Sequence, residues 1–216
     1  MSPFTEDERE QRLRHLMEVY GDGLKRLCCV YLRDMGLAED AVQETFIKAY
    51  DHIDELLSGK IESTKAWLMR IAVNTCKDTL RSSWMRHIDN RQEIEALLLS
   101  IASCAEERLA LTQAIMALAP KHREIVLLYY YQDMSLRACA QVLGISAPTA
   151  TRRLQQAQKN SGFNWKKGAE FDEKTRPFAK AIDESLCSVR FNAQDERAVL
   201  AAIHGRRAKA KSAPAA

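Results

Sequence analysis

Thr151, Arg152, Gln155 and Gln156 lie within six consecutive positions. Spaced three and four apart, they share one face of a helix. Arginine pairs bidentately with the O6 and N7 atoms of guanine, and glutamine with N6 and N7 of adenine, so the stripe is made of residue types that read base edges in a major groove. Arg153 flanks it. Thr149 and Lys159 are placed to reach phosphates, which position a protein on DNA without specifying sequence. Residues 146–159 hold no acidic side chain. An ordinary helical hairpin with a solvated polar face has the same spacing, but nothing in it would exclude carboxylates; their absence favours a nucleic acid.

Two further faces carry binding chemistry. Arg70, Asn74, Lys77, Asp78 and Arg81 form a basic and amide stripe opposite an apolar face, with Trp67 and Trp84 nearby. Cations that track a backbone beside aromatic rings that stack bases suit single-stranded nucleic acid, whereas tryptophans in a core beside a solvated face would be the plain alternative. Asp40, Gln43 and Glu44, at i, i+3 and i+4, form an acidic patch opposite Val42, Phe46 and Ala49. That patch would repel phosphate. It suits a partner protein with a basic surface, or simply an exposed helix start, where carboxylates are favoured. Catalysis is not expected. No nucleophile–base pair, glycine-rich phosphate loop or metal-ligand spacing is present, and His15, His52, His87, His122 and His204 are scattered. No metal and no cofactor is anticipated.

The elements that must position these faces are helices. Glycine and proline number only 8 and 5 in 216 residues, and strong helix formers dominate, so an all-α chain is expected. Leu24, Leu27, Val30 and Tyr31 recur at helical spacing, as do Val42, Phe46, Ala49 and Ile53, and then Leu68, Ala72, Cys76 and Leu80. With breaks near Asp34-Met35-Gly36 and Ser58-Gly59-Lys60, residues 6–86 form one block of three or four helices. Residues 87–107, of mixed charge around Leu97-Leu98-Leu99, connect it to a second block over 108–161. There Pro120 suits a first helical turn, where its missing N–H would be unpaired anyway. Ser135 and Ser146 can each cap a short helix, and Gly144 permits the sharp turn between the two. Leu136, Cys139, Ala140, Leu143 and Ile145 then pack on Ala150, Leu154 and Ala157. This is a helix-turn-helix.

Residues 162–216 form an extension. Phe178, Ile182, Leu186 and Val189 are spaced as one helical stripe, and Val199, Leu200 and Ile203 as a second, ended by Gly205. The basic stretch over 206–216 is expected to be disordered. The formal net charge is only +3, so DNA binding must come from local patches or be shared with a partner. The six cysteines form no C-x-x-C pair and fit a reducing cytoplasm. The acidic N-terminus is unlike a signal peptide, and no apolar run has the length of a membrane span.

Taken together the chain resembles bacterial sigma-70 family factors of the extracytoplasmic-function group. Ala38-Glu39-Asp40-Ala41-Val42-Gln43-Glu44-Thr45-Phe46 looks like the polymerase-binding helix of region two. Trp67-Leu68-Met69-Arg70-Ile71-Ala72-Val73-Asn74 with Leu80-Arg81 resembles the promoter-melting part of that region. Leu118-Ala119-Pro120, Arg123-Glu124 and the helix-turn-helix resemble region four. The resemblance implies core RNA polymerase and promoter DNA, duplex and single-stranded, as partners. Asp40, Gln43 and Glu44 would meet the clamp coiled coil of the largest subunit, with the flap of the second-largest subunit as a further polymerase contact. Asn74, Lys77, Asp78 and Arg81, with the loop over 57–63, would hold the melted −10 strand and an extruded base. Ser146, Thr149, Thr151, Arg152, Arg153, Gln155 and Gln156 would form the −35 surface. The chain departs from the family at Pro148-Thr149-Ala150-Thr151, where Gly-Thr-Val and a basic residue are common, and at Gln156, where arginine is common. Most members end soon after region four. Here Ile182 to Phe191 and Val199 to Ile203 are similar to the cytoplasmic start of some anti-sigma factors, which implies an inhibitory element in cis or a separate anti-sigma partner. The alternatives are a helix-turn-helix regulator that works without polymerase, and an anti-sigma or adaptor protein.

Overall fold

Thr5 begins the first helix with a reciprocal cap. Its hydroxyl accepts the Glu8 N–H at 3.3 Å, and its own N–H donates to the Glu8 carboxylate at 2.7 Å. In the computed structural model, residues 3–82, 114–115, 117–160, 183, 186 and 188–212 are described, with side chains up to residue 208. Trp84, the connector over 87–107, Phe178 and Ile182 lie outside the described residues. Helix α1 spans Glu6–Leu32 and ends at Arg33, whose left-handed backbone (φ 62°) lets its N–H bond Cys29 O at 2.8 Å. Asp34 at once caps α2, Met35–Asp51, by accepting the Leu37 N–H at 2.7 Å. A short α3, Ile53–Leu57, leads to α4, Thr64–Arg81, capped by Ser63.

The second half of α1 is the axis of the molecule. Every residue from Leu24 to Leu32 is buried, because α2, α4 and the later elements surround it. Its apolar residues fill the centre of the fold, and its two charged ones, Lys25 and Arg26, are buried with carboxylate partners, Asp195 and Asp183. The stripes through Phe46, Ile53, Leu68, Ala72 and Cys76 close on it as their spacing implies, while Leu80 is only partly buried. Cys28, Cys29, Cys76 and Cys139 are buried free thiols that serve as small apolar side chains; burial lifts the pKa of Cys29 and of Cys139 to about 12.

The second block opens at Pro120 with α5, Pro120–Val126, which widens into a π-turn over Leu127–Tyr131. Helix α6, Leu136–Leu143, is capped by Ser135 and ends at Gly144 (φ 65°), a conformation that glycine adopts without strain. Helix α7, Ala147–Asn160, buries Ala150, Leu154 and Ala157. The two blocks touch: α4 packs on α6, and α1 on α5.

The extension differs from its sequence pattern. Leu186 and Val189 are buried, but the chain from Val189 to Asn192 is not helical, so one stripe does not continue through Val189 on a single helix. The last helix, α8, Ala193–Ser212, runs straight through Gly205 rather than ending there. Ion pairs from Arg206 and Arg207 to the first block hold those final turns, which removes the reason to expect disorder over 206–212. Val199, Leu200 and Ile203 are buried, each contributing roughly 1.5–3 kcal/mol by leaving water.

Candidate nucleic-acid interface

The acid-free helix α7 presents Arg152, Gln155, Gln156 and Lys159 to solvent on the side away from Leu154. Its start is fixed by Ser146, whose hydroxyl accepts the Thr149 N–H at 3.4 Å and lies 2.8 Å from the Thr149 hydroxyl. The Thr151 hydroxyl donates to Ala147 O at 3.1 Å. Arg153 is apart from the others. It turns inward, and its Nη1 donates to Glu124 Oε1 at 2.8 Å.

The stripe on α4 is likewise divided. Asn74, Asp78 and Arg81 are exposed, and Arg81 pairs loosely with Asp78 at 3.5 Å. Lys77 instead reaches Glu124 Oε2 at 3.1 Å. Arg70 donates to Gln141 O at 2.6 Å, and Lys65 to Gln132 O. Three of the cations on or beside this face are therefore engaged by the second block.

On α2, Asp40 is exposed, while Gln43 and Glu44 are half-buried. Glu44 stands between Lys48 at 3.7 Å and Arg206 at 3.3 Å. Its neighbour Glu39 pairs with Lys25 at 3.0 Å.

Sequence comparison matches Sigma-70 region 2 over residues 16–86 and Sigma-70, region 4 over residues 108–160. The chain is 30% identical over 149 residues to the ECF RNA polymerase sigma factor SigL of Mycobacterium tuberculosis, covering 67% of this chain and 84% of that protein. It belongs to the sigma-70 family, in the extracytoplasmic-function group. It is also 27% identical over 158 residues to the ECF RNA polymerase sigma factor SigW of Bacillus subtilis, covering 67% of this chain and 83% of SigW. The fold resembles that of CnrH, solved in complex with the cytosolic domain of CnrY, with a TM-score of 0.50 and 22% identity over 70% of this chain and 86% of that one.

As a sigma factor the protein directs RNA polymerase to promoters and starts transcription, and it performs no covalent chemistry. Core RNA polymerase and promoter DNA are its partners. Among the described residues no helix is long and apolar enough to cross a membrane.

Two features of this sigma factor escape a reading by spacing alone. The first is Glu124. It is only 3% exposed and gathers Lys77, Arg153 and the Tyr31 hydroxyl, which donates to it at 3.1 Å. Beside it the buried Arg123 donates to Tyr31 O at 2.6 Å and Leu118 O at 2.8 Å. Burial, and then the charge of Arg33, lower the Arg123 pKa to about 9, still high enough to keep it charged at neutral pH. The second is the group Gly21, Lys25, Phe191 and Asp195. Gly21 was a usable signal, because glycine inside an α-helix costs about 1 kcal/mol relative to alanine and needs a reason.

Proposed function

We propose that the first block, residues 6–86, binds core polymerase through Asp40, Gln43 and Glu44 and holds the melted −10 strand with Asn74, Lys77, Asp78 and Arg81. The second block, residues 108–161, reads the −35 duplex through Arg152, Gln155 and Gln156. Ser146, Thr149 and Thr151 set the helix start against the backbone, and Arg153 positions the helix through Glu124. The clamp coiled coil of the largest subunit is the partner of the α2 face, and the flap of the second-largest subunit that of the second block. The protein works in the cytoplasm, where polymerase and chromosome meet.

The observation that carries this reading is the acid-free α7, with its arginine and two glutamines exposed together beyond a rigid cap and turn. The test is transcription with purified core polymerase and promoter fragments. Asp40→Lys should weaken core binding about tenfold and leave the fold intact. Arg152→Ala with Gln156→Ala should reduce dependence on the −35 sequence, each lost base contact costing roughly 1–3 kcal/mol. Asn74→Ala with Arg81→Ala should spare −35 dependence and impair permanganate reactivity of the −10 thymines. Unchanged core affinity in the Asp40 variant, or normal melting in the Asn74/Arg81 variant, would refute the corresponding role.

A further inference from the structure

We propose that residues 183–212 are an intramolecular competitor of core polymerase, seated in a peptide-binding groove between α1 and α2. The proposal rests on the assignment of the α2 face to polymerase.

The groove is specific in shape and charge. Phe191 enters it where α1 carries Gly21: a Cβ at that position would stand 2.7 Å from the Phe191 ring and 2.8 Å from its own Cβ. On the other wall the ring meets Phe46 of α2 edge-on, with centroids 5.3 Å apart. Asp22 accepts the Phe191 N–H at 2.8 Å and pairs with Arg190 at 3.0 Å. Asp195 completes the hook. It accepts the Asn192 N–H at 2.8 Å, which shapes the start of α8, and pairs with Lys25 at 2.9 Å. Lys25 is left 4% exposed between Asp195 and Glu39.

Beyond the hook, α8 lies along both walls of the groove. Glu196, His204 and Arg207 meet Arg14, Glu10 and Glu6, so α8 runs antiparallel to α1. Asp195 lies near Glu39, and Arg206 near Glu44 at 3.3 Å and Asp51 at 3.7 Å, so it runs parallel to α2. Arg206 thus pairs with the Glu44 carboxylate that the polymerase reading needs, and its positive charge there opposes the approach of a basic polymerase surface. At its other end the segment bridges the two blocks. Asp183 accepts from Arg26 of α1 and, at 3.0 Å, from the Tyr131 hydroxyl of the second block. The segment therefore holds the blocks together while Arg206 sits at the edge of the α2 face, beside Glu44, with Asp40 still exposed.

A tether makes such docking intramolecular, and the affinity for polymerase is multiplied by the fraction of time the groove is open. The informative variant is Gly21→Ala. It expels Phe191 by sterics, favours α1 as a helix, and touches no residue assigned to polymerase or DNA. Core-polymerase affinity should be measured for the full chain, for Gly21→Ala, for Arg206→Glu with Arg207→Glu, and for a chain ending at Ser161. Binding about tenfold tighter or more is expected in all three altered forms, and a synthetic peptide of residues 183–212 should return the shortened chain to weak binding. If Gly21→Ala and the arginine variant bind core with the affinity of the full chain, the competitor role is overturned, whether or not the shortened chain folds. If no form binds core, the assignment of the α2 face fails instead.

Discussion

At the scale of single residues, Glu124 governs the meeting of the two blocks. One buried carboxylate serves Lys77 of α4, Arg153 of α7 and Tyr31 of α1. The two cations it holds come from the two surfaces proposed for DNA, so the closed arrangement withdraws a charge from each. Removing the carboxylate leaves three polar groups without their acceptor. Glu124→Ala should lower stability by about 2–3 kcal/mol, less than the ~3–5 kcal/mol of a wholly buried pair because both cations keep some contact with water. Urea unfolding monitored by circular dichroism measures this, and a change below about 0.5 kcal/mol would contradict it. The neighbouring tyrosines report the same environment. Burial first, then the charge of Glu124, pushes the Tyr31 pKa up, and burial first, then Asp183, does so for Tyr131.

At the scale of elements, the helix-turn-helix and the docked α8 are held by different physics. The first depends on neighbours in sequence: Ser135, Gly144 and Ser146 close each turn within four residues. Helix α8 depends on partners far along the chain, and Lys25 is the most buried of them. Burial acts most strongly on Lys25 and opposes its charge, but Asp195 and Glu39 outweigh it and the pKa ends above that of an ordinary lysine. A raised ammonium pKa contributes to docking in full below the free value of about 10.4 and is lost as pH rises through the higher docked value. The docked population, followed by fluorescence transfer between α1 and α8, should therefore fall above pH 10.5 or so. Lys25→Met should remove that alkaline step. A step that persists unchanged in Lys25→Met would assign it to another group.

At the scale of the whole molecule, the packed blocks cannot reach both promoter elements at once if each takes the element proposed for it. The −10 and −35 elements are about 25 base pairs apart, or roughly 85 Å of duplex at 3.4 Å per base pair. A compact chain of this length has a radius of gyration of about 17 Å. The α4–α6 contact and the Glu124 cluster must therefore separate when the factor engages a promoter. Dyes on cysteines introduced at Glu62 and Gln155, with Cys104 and Cys187 replaced by serine, should transfer efficiently in the free protein. Transfer should be lost in the complex of core polymerase and promoter. High transfer retained in a transcribing complex would mean that the blocks stay together.

What the sequence determined by itself is what neighbours within one or two helical turns decide. The helices of both blocks, the breaks at Asp34 and Gly59, the caps at Ser135 and Ser146, the turn at Gly144 and the exposed Arg152, Gln155 and Gln156 all follow from spacing that a single helix can read. The family could be named from motif order for the same reason. The tertiary structure decided the pairings between residues remote in the chain. Lys77 and Arg153 belong by spacing to nucleic-acid faces, yet both meet Glu124, because a buried carboxylate holds whatever cations the packing brings within reach. Gly205 looks like a helix end, yet α8 continues, because Arg206 and Arg207 find Glu44, Asp51 and Glu6, all more than 150 residues away. Gly21 and Phe191 carry no mutual signal in the sequence. Only the close approach of the chain segments gives one the hole and the other the ring that fills it.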